Sequence, residues 1–341
     1  MSSSNLFSSE KEKEYIIPFN LEVVQNFEPT KEFAPASICV TDLSTSSDGL
    51  EMILAADDNK IVYYNMESGR CVRNVPTDKY GVNLVQHVGN KHCIHSSTRI
   101  DNNIRYLSLT ETKYIRYYMG HTADVNTVQT NPRLDLSQFI SSANDKTIRF
   151  WDLRSQSTTG FLHFRDIPIC SYDPEGILFA VAVGNHTIYL FDVRSFDCGS
   201  FKKFEILHDF PDAKWKRIDF SPCGKLIIIS TNTSKCLVID AFSGKLKWIL
   251  ESSQHPNPNI YTRCSFTPDS KYICVGNYDR SIHFYSTNSG EMELKMKTTH
   301  IEGPHLIAFG KNSCHMTSVS KRMLLWSAPD EYIDKVKIEK S

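Results

Sequence analysis

No run in this chain is long and apolar enough to cross a bilayer. The longest, ILFAVAV from Ile177, falls far short of the ~20 residues a helical span needs. The opening residues, MSSSNLFSSEKEKE, lack the apolar core of a secretory signal. Neither sign of charge is in excess: 38 basic and 39 acidic residues leave a formal net charge of −1. That argues against strong direct nucleic-acid binding, which rests on surplus Lys and Arg. The ten cysteines form no C-x-x-C pair and read as free thiols, small buried hydrophobes in a reducing compartment. HCIH, from His92 to His95, has no second ligand pair at zinc-like spacing, so no metal is expected. Gly-rich phosphate loops and paired-carboxylate motifs are missing, so no cofactor and no small-molecule substrate are expected either. These absences describe a soluble, intracellular protein without a membrane partner.

What the chain does have is repetition. SANDKTIRFWDLRS, from Ser142, combines a charged turn, an alternating strand and a Trp-Asp pair. Its worn copies are AADDNKIVYYN from Ala55, RIDNNIRYLS, AVGNHTIYLFD, STNTSKCLVID, GNYDRSIHFYS and SVSKRMLLWS. Aligned on the place of Trp151, the anchors are Tyr64, Leu107, Trp151, Phe191, Ile239, Tyr285 and Trp326, spaced 43, 44, 40, 48, 46 and 41 residues apart. A period of ~40–45 residues with a Gly-His…Trp-Asp signature marks a WD40 blade of four strands; kelch repeats run nearer ~50 and bring paired glycines, which are missing here. A second register agrees. The turns SSDG, DPEG, SPCG and TPDS each stand a few residues before a strand that leads into the aligned core.

The expected fold is therefore all-β, a seven-bladed WD40 β-propeller closed by an N-terminal strand. Residues 1–18 form a polar, disordered tail, 19–328 the propeller and 329–341 a charged tail. Closure protects the edge of the last blade. The segment Phe19 to Phe27, FNLEVVQNF, is the expected closing strand, paired beside Leu325.

His121, Ser141 and Asp145 invite a hydrolase reading. A nucleophile needs a strained, exposed turn and an oxyanion hole. Ser141 sits instead in a strand, FISSAND, without elbow glycines. The expectation is a structural hydrogen-bond chain from Asp145 through His121 and Ser141 to the indole of Trp151, with Ser142 as the alternative third member. No catalytic residue is assigned. Gly-His occurs only in the third copy and Trp only in the third and last, so apolar packing is expected to replace the chain elsewhere.

Some stretches exceed what the repeat demands. DKYGVNLVQH from Asp78, RIDNNIRYLSLTETKYIRYYMGH from Arg99, SYDPEGILFAVAVGNHTIYLFDVRSFDCGSF from Ser171, DKTIRFWDLRS and GKLIIISTN closely resemble the family of WD-repeat subunits called Swd2 in yeasts and WD-repeat protein 82 in animals. The likeness is good over blades two to five, moderate in blade six, and weak before about residue 75 and after about residue 300. It implies a non-catalytic scaffold in the nucleus. Its protein partners would be the subunits of an mRNA cleavage and polyadenylation complex, of a COMPASS-type complex that methylates lysine 4 of histone H3 through a separate SET-domain subunit, or of both. The divergent first blade and the lysine-bearing end KVKIEKS depart from the family, and the reading leans toward 3′-end processing.

Candidate partner contacts are Asp78, Lys79 and Tyr80 between blades one and two, Arg154 and Arg194 after their D-x-R turns, and Phe196 and Asp197 beyond the second of these. Each has a competing role inside the fold: Tyr80 packed on a neighbouring blade, the arginines on backbone carbonyls, Phe196 tucked under. WDLR at Trp151 also resembles the box of cullin-RING ubiquitin ligase receptors, which is the alternative function. An enzymatic propeller and a direct histone reader are the remaining rivals.

Overall fold

Short alternating segments become strands, and the strands pair with their chain neighbours into antiparallel sheets. The computed structural model describes residues 15–16, 20–33, 39–89, 91–133, 137–210, 212–253, 261–310, 315–329, 331–332, 335 and 338–339. Among these residues stand seven four-stranded sheets, the blades: one at 40–76, two at 85–118, three at 125–163, four at 168–205, five at 215–251 and six at 265–297. The seventh takes three strands from 306–327 and its outer strand, Glu28–Phe33, from the other end of the chain.

All seven anchors lie in the third strand of their blade. Beside the anchor, where the third strand pairs with the fourth, the register shifts in every blade but the fourth. Such bulges increase local twist, so the twist of each outer half is set at one fixed place in the repeat. The SSDG, DPEG, SPCG and TPDS turns join first strand to second. Each closes an N–H···O=C bond over three residues, ending on Gly49, Gly176, Gly224 and Ser270 with φ of 76°, 66°, 72° and 61°. Ser270 holds the left-handed conformation that glycine takes without a Cβ clash in the other three.

The core is divided among the seams. Seven apolar clusters each bridge two neighbouring blades, and the cluster of Val40, Leu54 and Tyr64 with Leu306, Met323 and Leu325 joins blade one to blade seven. Alternation in the second strand feeds both sides: Met52 and Leu54 face blade seven, Ile53 and Ala55 face blade two. No blade has a complete core of its own, which is why the ring must close.

Closure is by an N-terminal strand, but not by the segment expected. Leu21–Gln25 is a helical turn, with Asn20 as its N-cap accepting from Val23 N at 2.8 Å. Val23 and Val24 of this turn, and Phe27 just beyond it, bury themselves in the seam of blades six and seven. Phe19 lies outside the described residues. The strand beside Leu325 is the next segment, EPTKEF, with Lys31 opposite Leu325 and the Thr30 hydroxyl donating to Leu325 O at 3.1 Å. Both sides of this strand are largely exposed, so its sequence is charged and holds Pro29, which an edge position tolerates.

Residues 1–14 of the expected tail lie outside the described residues, but Tyr15–Ile16 pairs antiparallel with Ile338–Glu339 from the charged end. Cys39, Cys71, Cys93, Cys170, Cys198, Cys223 and Cys274 are free, whereas Cys236 and Cys264 face each other across the seam of blades five and six, their Cα atoms 7.2 Å apart, wider than a relaxed disulfide spans. They stand 28 residues apart on different blades, a spacing that no local motif marks. No described helix is long and apolar enough to cross a membrane.

Candidate interaction site

The loop entering blade three, its second strand, the following turn and the third strand bring His121, Ser141, Asp145 and Trp151 together. His121 Nδ1 lies 2.9 Å from Asp145 Oδ2 and Nε2 lies 2.8 Å from Ser141 Oγ, which accepts the Trp151 indole N–H at 2.8 Å. Asp145 also accepts from Thr122 N at 3.0 Å and from Thr147 N and Oγ1 at 2.9 and 2.7 Å. Burial works against the Asp145 charge, and the bonds from Thr147, His121 and Thr122 more than offset it, so its carboxyl lies below the usual range. Burial holds the His121 ring below the ordinary imidazole range against the pull of Asp145. Ser142 makes no part of the chain; its hydroxyl donates to Asn126 Oδ1 at 2.5 Å. Ser141 is 0% exposed and Trp151 1%. The group is sealed inside the blade, out of a substrate's reach.

Blade seven has a shorter copy that the sequence reading missed. His300 Nε2 lies 2.7 Å from Ser318 Oγ, which accepts the Trp326 indole at 2.8 Å. No acid follows: the buried His300 Nδ1 has no partner among the described residues. In blade two the expectation of apolar packing is corrected. Asp101, in the turn place of Asp145, holds Arg105 in a bidentate pair at 2.9 and 2.7 Å. Arg105 is 1% exposed, because Tyr80 covers its guanidinium at 3.6 Å and Tyr117 at 5.4 Å. Register places Arg105 opposite His95 as Arg149 stands opposite Ser141.

The proposed contacts separate into two groups. Tyr80 is half-buried over Arg105 and edge-on to Tyr114 at 5.3 Å, while Asp78 and Lys79 beside it are exposed. Arg154 and Arg194 are exposed, though Arg154 folds back onto Asp152 at 3.0 and 2.7 Å and Arg194 stands 4.0 Å from Asp192. Phe196 leaves the candidate surface. Its ring stacks on Phe150 at 3.9 Å and fills the space over Gly160, because a flat apolar ring in this turn gains more from the seam than from water. Asp197 next to it is exposed. The phenylalanine of VRSFDCGSF that faces outward is Phe201.

The inner strands line an open-mouthed cavity of 810 Å³. Arg217, Asp219 and Arg263 line it and pair with one another and with the buried Asp42: Arg217 meets Asp219 at 2.8 Å and Asp42 at 3.9 Å, and Arg263 meets Asp42 at 3.3 Å and Asp219 at 3.9 Å. Asp42 also accepts from Val85 N at 3.0 Å, and Gln129 accepts from Tyr172 N at 3.1 Å. The four formal charges cancel, and every carboxylate is engaged by a neighbouring blade. The cluster is a brace across the channel. Among the described residues no group of three His, Cys, Asp or Glu could hold a metal.

Seven blades with a buried His–Ser–Trp chain define a WD40 β-propeller, a platform whose surfaces are its working parts. The family model for the WD domain, G-beta repeat, matches residues 112–152 and 245–286. Over 311 residues, 91% of this chain and 96% of the relative, the sequence is 36% identical to WD repeat-containing protein 82 of Drosophila melanogaster. It is 30% identical to the Set1 complex component swd2 of Schizosaccharomyces pombe, over 77% of this chain and 74% of the relative. It is 29% identical to the COMPASS component SWD2 of Saccharomyces cerevisiae, over 77% of this chain and 80% of the relative. The chain belongs to the Swd2/WD-repeat protein 82 family.

Proposed function

We propose that this chain is a non-catalytic scaffold subunit of a nuclear COMPASS-type complex, in which a separate SET-domain subunit methylates lysine 4 of histone H3. The observation that carries the reading is identity sustained along nearly the whole propeller with a family whose yeast members are named for the Set1 complex and for COMPASS. The sealed chain in blade three and the balanced brace in the channel support it, because both serve rigidity. The names of these relatives turn the proposal from 3′-end processing to the methyltransferase complex. The cullin-RING alternative is not favoured by them, and Arg154 of its WDLR box is already engaged by Asp152. Coexpression with the SET-domain subunit of the same organism tests the reading. A complex that survives size-exclusion chromatography is expected, and separate elution contradicts it.

A further inference from the structure

We infer that the rim where blades four and five meet, at the turns joining third and fourth strands, docks a partner-protein segment that carries apolar side chains flanked by acidic ones. This deepens the scaffold reading and rests on it.

Two phenylalanines face water there, Phe201 58% and Phe242 67% exposed. They belong to neighbouring blades, yet to one surface. The ammonium of Lys202, next to Phe201, donates to Phe242 O. Gly244, two residues past Phe242, has no space for a Cβ because the Phe204 ring stands 2.1 Å from where it would lie. The turn of blade five is thus pressed against the outer strand of blade four. A pair of exposed aromatic rings on adjoining turns is unusual on a soluble surface and marks a contact site.

The loop that presents Phe201 is held in place. A short 3-10 turn, Phe196–Cys198, is pinned by Phe196 stacked on Phe150, and Phe201 N donates to Leu190 O at 3.0 Å. A ring fixed in this way loses little freedom when a partner covers it.

Charge names the partner's chemistry. Arg194 and Lys202 belong to the segment that carries Phe201 and Lys245 to the turn that carries Phe242, and these three and Lys225 are exposed. Lys225 is brought to Phe242 by the bond from Ala241 N to Lys225 O at 2.9 Å. Among the described residues no carboxylate pairs with Lys202, Lys225 or Lys245. The acids of the same turns are engaged by their own backbone: Asp240 Oδ1 accepts from Phe242 N at 3.1 Å and Ser243 N at 2.7 Å, and Asp192 Oδ1 from Arg194 N at 2.7 Å. Asp197 is the exposed acid beside Phe196 and stands on the blade-four side of the pair. An apolar segment with flanking Asp or Glu matches both the rings and the lysines that no described carboxylate pairs with.

Selection of random dodecamer peptides by phage display on the full chain tests this directly. Enriched peptides should combine aromatic or aliphatic residues with Asp or Glu. Their affinity should fall about tenfold or more on the Phe201→Ser/Phe242→Ser variant. It should also fall on Lys225→Glu/Lys245→Glu, and as NaCl rises from about 50 to about 300 mM. Both variants should keep the parent melting temperature, since neither pair lies in a seam cluster. No enrichment, peptides rich in Lys or Arg, or equal binding to the Phe variant overturns the inference. The scaffold reading is judged separately, by co-purification, so either can fail without the other.

Discussion

Trp326 donates its indole N–H to Ser318 Oγ at 2.8 Å, the distance at which Trp151 meets Ser141 four blades earlier in the ring. The two chains differ at the far end. His121 closes onto Asp145, whereas the matching nitrogen of His300 has no partner among the described residues.

That difference predicts unequal costs. His121→Leu strips Asp145 of a buried donor and should destabilise by about 1–3 kcal/mol. His300→Leu removes a ring nitrogen that is already unsatisfied, and should cost less than half as much. Urea unfolding of the two variants measures this; equal losses would contradict the reading of the polar chain.

Buried histidines contribute to the acid limit. Burial holds His95 down to about 4, and burial with nearby His305 holds His300 down to about 4, against an ordinary value of 6.5. Between these values the unfolded chain binds more protons than the folded one, so stability falls as pH falls. The contribution is complete above about pH 6.5, is lost progressively toward about pH 4, and amounts to as much as about 3 kcal/mol per group. The urea midpoint should therefore drop between about pH 7.5 and about pH 5. The His95→Leu/His300→Leu variant should flatten the drop; an unchanged slope would count against it.

Closure predicts a third outcome. Removing residues 1–33 takes the outer strand from blade seven and uncovers the seam that Val23, Val24 and Phe27 fill. At about 1.5–3 kcal/mol per buried apolar side chain, the loss is a large part of the stability of an ordinary domain. The melting temperature should fall sharply, and calorimetry showing no change would contradict closure by Glu28–Phe33.

Arg154 is expected to be dispensable for the fold. Its side chain is 80% exposed and its ion-pair partner, Asp152, lies in the same turn. Arg154→Ala should leave the melting temperature where it was, so any partner it loses is lost at the surface. A marked drop in melting temperature would assign Arg154 to the fold.

The period made the blades legible because each anchor has the same task, packing from the third strand into the seam with the preceding blade. Closure was harder to read. EPTKEF buries little, so no alternation marks it, and its partner Leu325 lies 295 residues from Thr30. His300 was missed because Thr299, not glycine, precedes it. Arg105 could be found only through register, which sets it opposite His95. Phe196 and Phe201 share one loop, and no sequence period says which ring turns in. The channel brace joins residues of blades one, five and six, a contact that repetition cannot show.

The central claim is membership of a COMPASS-type complex, and affinity purification of the tagged chain from nuclear extract, read by quantitative mass spectrometry, tests it most directly. A SET-domain subunit recovered in near-stoichiometric amount is the predicted result. Recovery of cleavage and polyadenylation subunits or of a cullin adaptor, without any SET-domain subunit, would contradict it.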